Sequence, residues 1–230
     1  MFIASGASGS LQANWYVVGA DGSDRCVVID PGEAAAGPCR EQIAASGRAP
    51  TAVLATHGHV DHIADAAELA DFYGIPLYIH ASDRPFLTDP AAATNSQFAA
   101  LLPVMFPGPW REPADVRTYG VEATGGRGAL AAADLEFELR HAPGHTPGST
   151  MLIIGGDSDP TVFAGDVVFA GSIGRTDFLV GSPGAMRRSL KRQLLTLPDA
   201  ARILPGHGPA TDLARERRHN PYLSAAFWGV

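Results

Sequence analysis

The stretch Thr56-His57-Gly58-His59-Val60-Asp61-His62 follows directly on the apolar run Ala52-Val53-Leu54-Ala55. Positions 57 to 62 carry three imidazoles and one carboxylate. So much polar chemistry at the end of a buried strand calls for something bound there. Imidazole nitrogen and carboxylate oxygen are natural ligands of zinc, iron and related divalent ions. The spacing points to two ions rather than one. Side chains alternate in extended chain, so His57 and His59 face the same way. Asp61 and His62 are adjacent and open an expected helix (Ile63 to Tyr73), so they point elsewhere. One pair can serve one ion and the other pair a neighbour.

Further ligand types recur downstream. His141-Ala-Pro-Gly-His145-Thr-Pro-Gly-Ser follows an expected strand from Leu135 to Arg140. Phe163-Ala-Gly-Asp166 follows Thr161-Val162, and Leu204-Pro-Gly-His207-Gly-Pro follows Ala201-Arg202-Ile203. Each places a ligand-type residue in a Gly/Pro turn after a short apolar run. That recurrence marks a site assembled on loops at one edge of a sheet.

Composition narrows the alternatives. A chain of 230 residues with 46% apolar content fits one α/β domain, residues 1–230. A net charge of −7 and the lack of a basic block argue against a nucleic-acid partner. No run reaches about 18 apolar residues, so no membrane span is expected. No Lys or Arg precedes Arg25, so a secretory n-region is not expected. Cys26 and Cys39 form no CxxC pair, and Cys26 reads as a buried small hydrophobe. The balance favours the cytoplasm.

Short strands are expected at Phe2–Ala4, Trp15–Gly19, Cys26–Asp30, Ala52–Ala55 and Leu77–Ile79, and again from Leu135, Thr150, Thr161 and Ile203. Helices are expected over Pro38–Ser46, Ala185–Leu195 and Asp212–His219. From Phe86 to Val116 prolines at 85, 90, 103, 107, 109 and 113 break the rhythm. This Pro-rich insertion, about 86–116, reads either as a lid or pocket wall carrying Phe98, Met105, Phe106 and Trp110, or as a cover for part of the core. Gly125-Gly126-Arg127-Gly128 is too short for a phosphate loop and reads as a turn.

Taken together the motifs resemble the metallo-β-lactamase superfamily, and within it the single-domain, glyoxalase II-like thioesterases of the hydroxyacylglutathione hydrolase type. Val27-Val28-Ile29-Asp30-Pro31-Gly32, Gly171-Ser-Ile-Gly-Arg-Thr-Asp-Phe178 and Pro205-Gly206-His207-Gly208 extend the resemblance along nearly the whole chain. It implies an αββα sandwich of two mixed β-sheets with helices outside. It implies a first ion on His57, His59 and His145, a second on Asp61, His62 and His207, and Asp166 bridging both. Asp61 and Asp166 become the catalytic carboxylates. Zinc is the first choice of metal, with iron and manganese as alternatives. His141, His80 and His219 fall outside the pattern and read as structural. Asp30 either orients a ligand histidine through its second nitrogen or caps the Pro31-Gly32 turn. Arg175 and Asp177 read as loop braces.

The implied chemistry is hydrolysis of a small acyl thioester by a metal-bridging hydroxide. Two divalent ions about 3.5–4 Å apart lower the pKa of a shared water towards neutrality and polarise the carbonyl. No G-x-S-x-G motif offers a protein nucleophile. A cysteine in place of Asp166 would have pointed to the antibiotic-hydrolysing branch. Related enzymes with an added C-terminal helical domain use it to grip glutathione. The chain ends soon after His207, which leaves glutathione, mycothiol or another small thiol as the carrier. The alternatives are a mononuclear-iron persulfide dioxygenase and a lactone hydrolase. Oligomeric state is left open.

Overall fold

The computed structural model describes residues 1–121, 126–224 and 227. Its first sheet holds six strands in chain order. The strands β1 (Phe2–Ser8), β2 (Ala13–Gly19) and β3 (Arg25–Ile29) pair antiparallel; β4 (Ala49–Leu54), β5 (Leu77–Ile79) and β6 (Val116–Thr118) continue the sheet in parallel. Parallel neighbours need crossovers. These contain α1 (Ala36–Ser46), then α2 (Val60–Ile63) with α3 (Ala66–Tyr73), then α4 (Ser96–Met105). The second sheet mirrors this economy. Antiparallel β7 (Arg127–Ala132), β8 (Leu135–His141), β9 (Thr150–Ile154) and β10 (Thr161–Gly165) are joined by β11 (Arg202–Pro205), parallel to β10, and by β12 (Thr211–Asp212). Helix α5 (Pro183–Ser189), continued by a wider turn over Leu190–Leu194, makes the crossover, and α6 (Leu213–His219) follows β12.

Strand sequences that are apolar at every position have both faces buried, and the core divides accordingly. Between the sheets lie Val18, Val27, Ile29 and Leu54 from one side and Phe137, Leu139, Leu152, Phe163 and Leu204 from the other. Their chain neighbours Val17, Val28 and Val53 face α1 and α3 through Cys39, Ile43, Leu69 and Ala70. Met151, Ile153, Val162 and Ile203 face α5 and α6 through Met186, Leu190 and Leu213. The architecture is the expected αββα sandwich of two mixed sheets with helices outside. No helix among the described residues is long and apolar enough to cross a membrane.

Two local expectations needed correction, and the insertion held an element that had not been foreseen. The helix expected over Ile63–Tyr73 starts at Val60 and is split, with α2 ending at Ile63 and α3 opening at Ala66. The Pro-rich insertion contains α4, whose N-terminus is capped by the Asn95 side chain accepting from the Phe98 N–H at 2.9 Å. Pro103 lies inside that helix; proline there argues against a helix from sequence alone. Arg127 and Gly128, expected in a turn, open β7, while Gly125 lies outside the described residues.

Candidate metal centre

All seven candidate ligands meet at one edge of the sandwich. His57 follows β4, and His59 is the extended N-cap of α2, which carries Asp61 and His62. His145 sits between β8 and β9, Asp166 follows β10 and His207 follows β11. The edge is stitched across the sheets: Thr150 N–H donates to Thr56 O at 2.8 Å, Asn14 N–H to Gly206 O at 2.7 Å, and Tyr16 O–H to Pro205 O at 2.7 Å. Gly206 packs hard against the cluster. A Cβ there would stand 2.1 Å from Asp166 Oδ1 and 2.8 Å from His62 Cε1.

The ligand-type atoms fall into three overlapping trios, each within 4.8 Å: His57, His59 and His145; Asp61, His62 and His207; and Asp30, His57 and His62, which links the other two. In the first, His59 Nδ1 faces His145 Nε2 at 2.7 Å. In the second, His62 Nε2 lies 3.2 Å from His207 Nε2, and His207 Nε2 lies 3.2 Å from Asp61 Oδ2. Asp166 stands between them. Its Oδ2 is 3.2 Å from His145 Nε2 and 3.7 Å from His207 Nε2, and its Oδ1 is 3.5 Å from His62 Nε2. His57 and His59 share one trio and Asp61 and His62 another, while the His57 ring also lies 4.3 Å from the His62 ring.

Outer hydrogen bonds fix which nitrogen each imidazole turns inward. His145 Nδ1–H donates to Arg175 O at 2.8 Å, leaving Nε2 as a lone pair. His59 Nε2–H donates to Ala93 O at 3.2 Å, leaving Nδ1. His62 Nδ1–H donates to Asp30 Oδ2 at 3.2 Å. Thr56 O–H donates to the same carboxylate at 2.6 Å, so Thr56 Oγ1 accepts from His57 Nδ1–H at 3.1 Å. Asp30 therefore orients two ligand histidines, one directly and one through Thr56. It does so at φ +50°, a left-handed conformation that Asp tolerates better than most residues.

This donor set fits divalent cations. The inward His57 Nε2 and Asp166 Oδ1 are buried and have no hydrogen-bond partner. Buried polar atoms are rarely left so. Burial, and then neighbouring histidines, push the His57 imidazole well down. Burial takes His59 to about 3 and His145 to about 4, so both present lone pairs at neutral pH. For His62, burial is outweighed by Asp61, Asp166 and Asp30, which raise it to about 10. For Asp61 burial is likewise outweighed, mainly by His62 and His207, and its pKa falls; burial dominates for Asp166 and raises it. The second trio thus favours a positive charge at its centre.

Above the cluster opens a cavity of about 410 Å³. His59, Asp61, His145, Asp166 and His207 form its floor; Leu11, Phe98, Leu102, Phe169, Ile173 and Phe178 supply most of the wall. Of the insertion residues expected there, Phe98 lines it. Phe106 and Met105 instead pack with Leu102 against Val60, and Trp110 joins that cluster. Arg175 holds Asp177 through two hydrogen bonds of 2.7 Å and lies over the Phe178 ring at 4.4 Å, which braces the wall.

Sequence reasoning passed over Asp83. It is fully buried and accepts from the loops on both sides of the first trio. Burial raises its pKa to about 6 against those hydrogen bonds. His141 and His80 stay outside the cluster as expected. Their rings stack at 4.1 Å, and His141 Nε2–H donates to Pro147 O at 2.7 Å. His219 lies in α6. Burial, with His141 second, pushes His80 down to about 4. The unfolded chain takes up that proton near pH 6.5, so stability from neutral His80 is full above pH 6.5 and is lost as pH falls towards 4. His80→Asn keeps an acceptor for the Ser82 N–H. In urea unfolding at stepped pH it should lose less stability than the parent between pH 6.5 and 4; parallel profiles would refute this.

The chain belongs to the metallo-β-lactamase superfamily, whose model matches residues 8–207. It is 36% identical to the probable metallo-hydrolase YqgX of Bacillus subtilis, with 94% of each chain covered. It is 32% identical to the hydroxyacylglutathione hydrolase GloC of Haemophilus influenzae, covering 75% of this chain and 76% of that one. Among solved structures, the B3 metallo-β-lactamase BLEG-1 superposes with a TM-score of 0.82 at 31% identity. The di-iron-bound form of TTHA1623 gives 0.77 at 34%. Each covers 97% of this chain and 100% of its own.

Proposed function

We propose that this superfamily member is a dinuclear metal-dependent hydrolase of small acyl thioesters. His57, His59 and His145 hold one ion, Asp61, His62 and His207 the other, and Asp166 reaches both. One observation carries the reading: seven ligand-type side chains converge beneath a largely apolar cavity, with His57 Nε2 and Asp166 Oδ1 buried among them and unpartnered. The likeness to GloC supports a thioester as substrate. When bound, two divalent ions lower the pKa of coordinated water and polarise a carbonyl oxygen. Zinc suits this donor set, and the di-iron relative keeps iron in contention.

The protein's own part is to hold and exclude. Asp30 and Arg175 O lock imidazole orientation through His62 and His145. The unpartnered Asp166 Oδ1 faces the second trio while Oδ2 faces His145. Phe98, Phe169 and Phe178 give apolar contact area without directed hydrogen bonds. Such walls discriminate poorly, at about 1–3 kcal/mol per methylene, so a broad range of acyl and thiol groups should be accepted. Among the described residues, no serine or cysteine lines the cavity.

Turnover of S-lactoylglutathione, a glutathione persulfide, a lactone and a β-lactam by the metal-loaded protein, with oxygen uptake recorded, tests the reading. Thioester hydrolysis should run equally fast without oxygen. Strict oxygen dependence, or turnover of the persulfide, lactone or β-lactam above every thioester, would overturn it. The β-lactam is included because BLEG-1 resembles the whole chain.

A further inference from the structure

Asp83 lies in the turn after β5, outside every ligand motif, and is 0% exposed. Its Oδ2 accepts from the Gly58 N–H at 2.8 Å, between His57 and His59. The same oxygen accepts from Thr146 Oγ1 at 2.6 Å, and Oδ1 from the Gly148 N–H at 2.6 Å, on the loop that carries His145. Both glycines are close approaches to this one residue. A Cβ on Gly58 would stand 2.9 Å from Asp83 O, and one on Gly148 would stand 2.6 Å from Asp83 Cγ. Thr146 is further tied to Ser149 at 2.8 Å. One buried carboxylate thus receives three donors from two loops, 25 and 63 to 65 residues away in sequence. None of those donors belongs to Asp61, His62 or His207. The second trio has other braces: Asp30, which also reaches His57 through Thr56, takes His62, while Asn14 and Tyr16 donate to Pro205 O beside His207.

We infer that Asp83 is a positioning residue dedicated to the first ion, clamping the His57/His59 loop to the His145 loop so that the two halves of that trio are in place before an ion arrives. The inference rests on the two-ion assignment, but its test uses metal binding and is independent of any substrate. Outer-sphere partners of this kind typically govern about 10- to 100-fold in metal affinity.

The experiment uses the full chain in two backgrounds, each reduced to one trio. In His62→Ala only the first trio remains intact; in His57→Ala only the second does. Zn²⁺ affinity is measured by competition with a chromophoric chelator, with Asp83 and with Asn at that position. Asp83→Asn keeps the shape, but whichever way the amide turns, its NH₂ faces a backbone N–H, of Gly58 or of Gly148, so the tie to one of the two loops is lost. Affinity should fall about 10- to 100-fold in the His62→Ala background and stay within about threefold in the His57→Ala background. Equal losses in both backgrounds would make Asp83 a general fold support and overturn the inference, as would no loss in either. If Asp83→Asn does not fold, Thr146→Val deletes one of the three bonds and leaves the carboxylate seated. It should then give about a tenfold loss confined to the His62→Ala background, and an unselective or absent loss would overturn the inference in the same way.

Discussion

Asp166→Asn should lower kcat for thioester hydrolysis on the order of 10³-fold while the fold persists. Asp166 is the one carboxylate whose two oxygens address both trios. Asparagine keeps its volume but loses the charge that offsets two cations, and one end becomes a donor facing inward nitrogens. Metal content and steady-state kinetics, read beside Val167→Ala as a neighbouring control, provide the check. Near-normal metal content with near-normal turnover would remove Asp166 from between the ions.

Gly206→Ala should cost about 10²-fold in kcat/KM and weaken the second ion about 10- to 100-fold. The added methyl would lie 2.1 Å from Asp166 Oδ1, the free end of a side chain, and 2.8 Å from His62 Cε1. The Gly165 backbone carbon stands farther off, at 3.1 Å, so the methyl relieves its closest clashes by displacing the two ligand side chains before it moves the strand. Thermal unfolding of the metal-free protein should shift little, which separates this from a folding defect. A variant that binds two ions and turns over like the parent would mean that the cluster has slack the packing does not suggest.

Four of the seven candidate ligands were legible as one polar burst after an apolar strand, and His145, Asp166 and His207 as single ligand types in Gly/Pro turns after short apolar runs, signals that need no knowledge of tertiary contacts. Asp30 was half legible: its place at a strand end showed, but its choice between turn and histidine depended on Thr56 and His62 being brought to it. Asp83 left no local mark. Its partners are remote in sequence, and His-Ala-Ser-Asp-Arg-Pro reads as any surface turn. The cavity wall was also half legible: the insertion supplies Pro90, Thr94, Phe98 and Leu102 to it, but not Met105, Phe106 or Trp110. Phe98, Met105, Phe106 and Trp110 are equally apolar, and only the docking of α4 decides that Phe98 meets the cavity while Phe106 meets Val60. The αββα sandwich was legible only through the resemblance, because strands that are apolar along their length carry no alternation to say which face meets the other sheet.

The first and second trios are each split between the two sheets: two members come from the loop after β4, and the third comes from beyond β8 or β11. During synthesis the amino-terminal sheet can form first, yet it then displays four ligand-type side chains with neither centre complete. The first trio closes only once residue 145 has emerged and the second only at residue 207. On the proposed two-ion reading, ion capture would be a late event that reports on the meeting of the halves. An ion bound only to the assembled state would hold the sheets together by mass action, so a chelator would act on this molecule as a wedge between its halves.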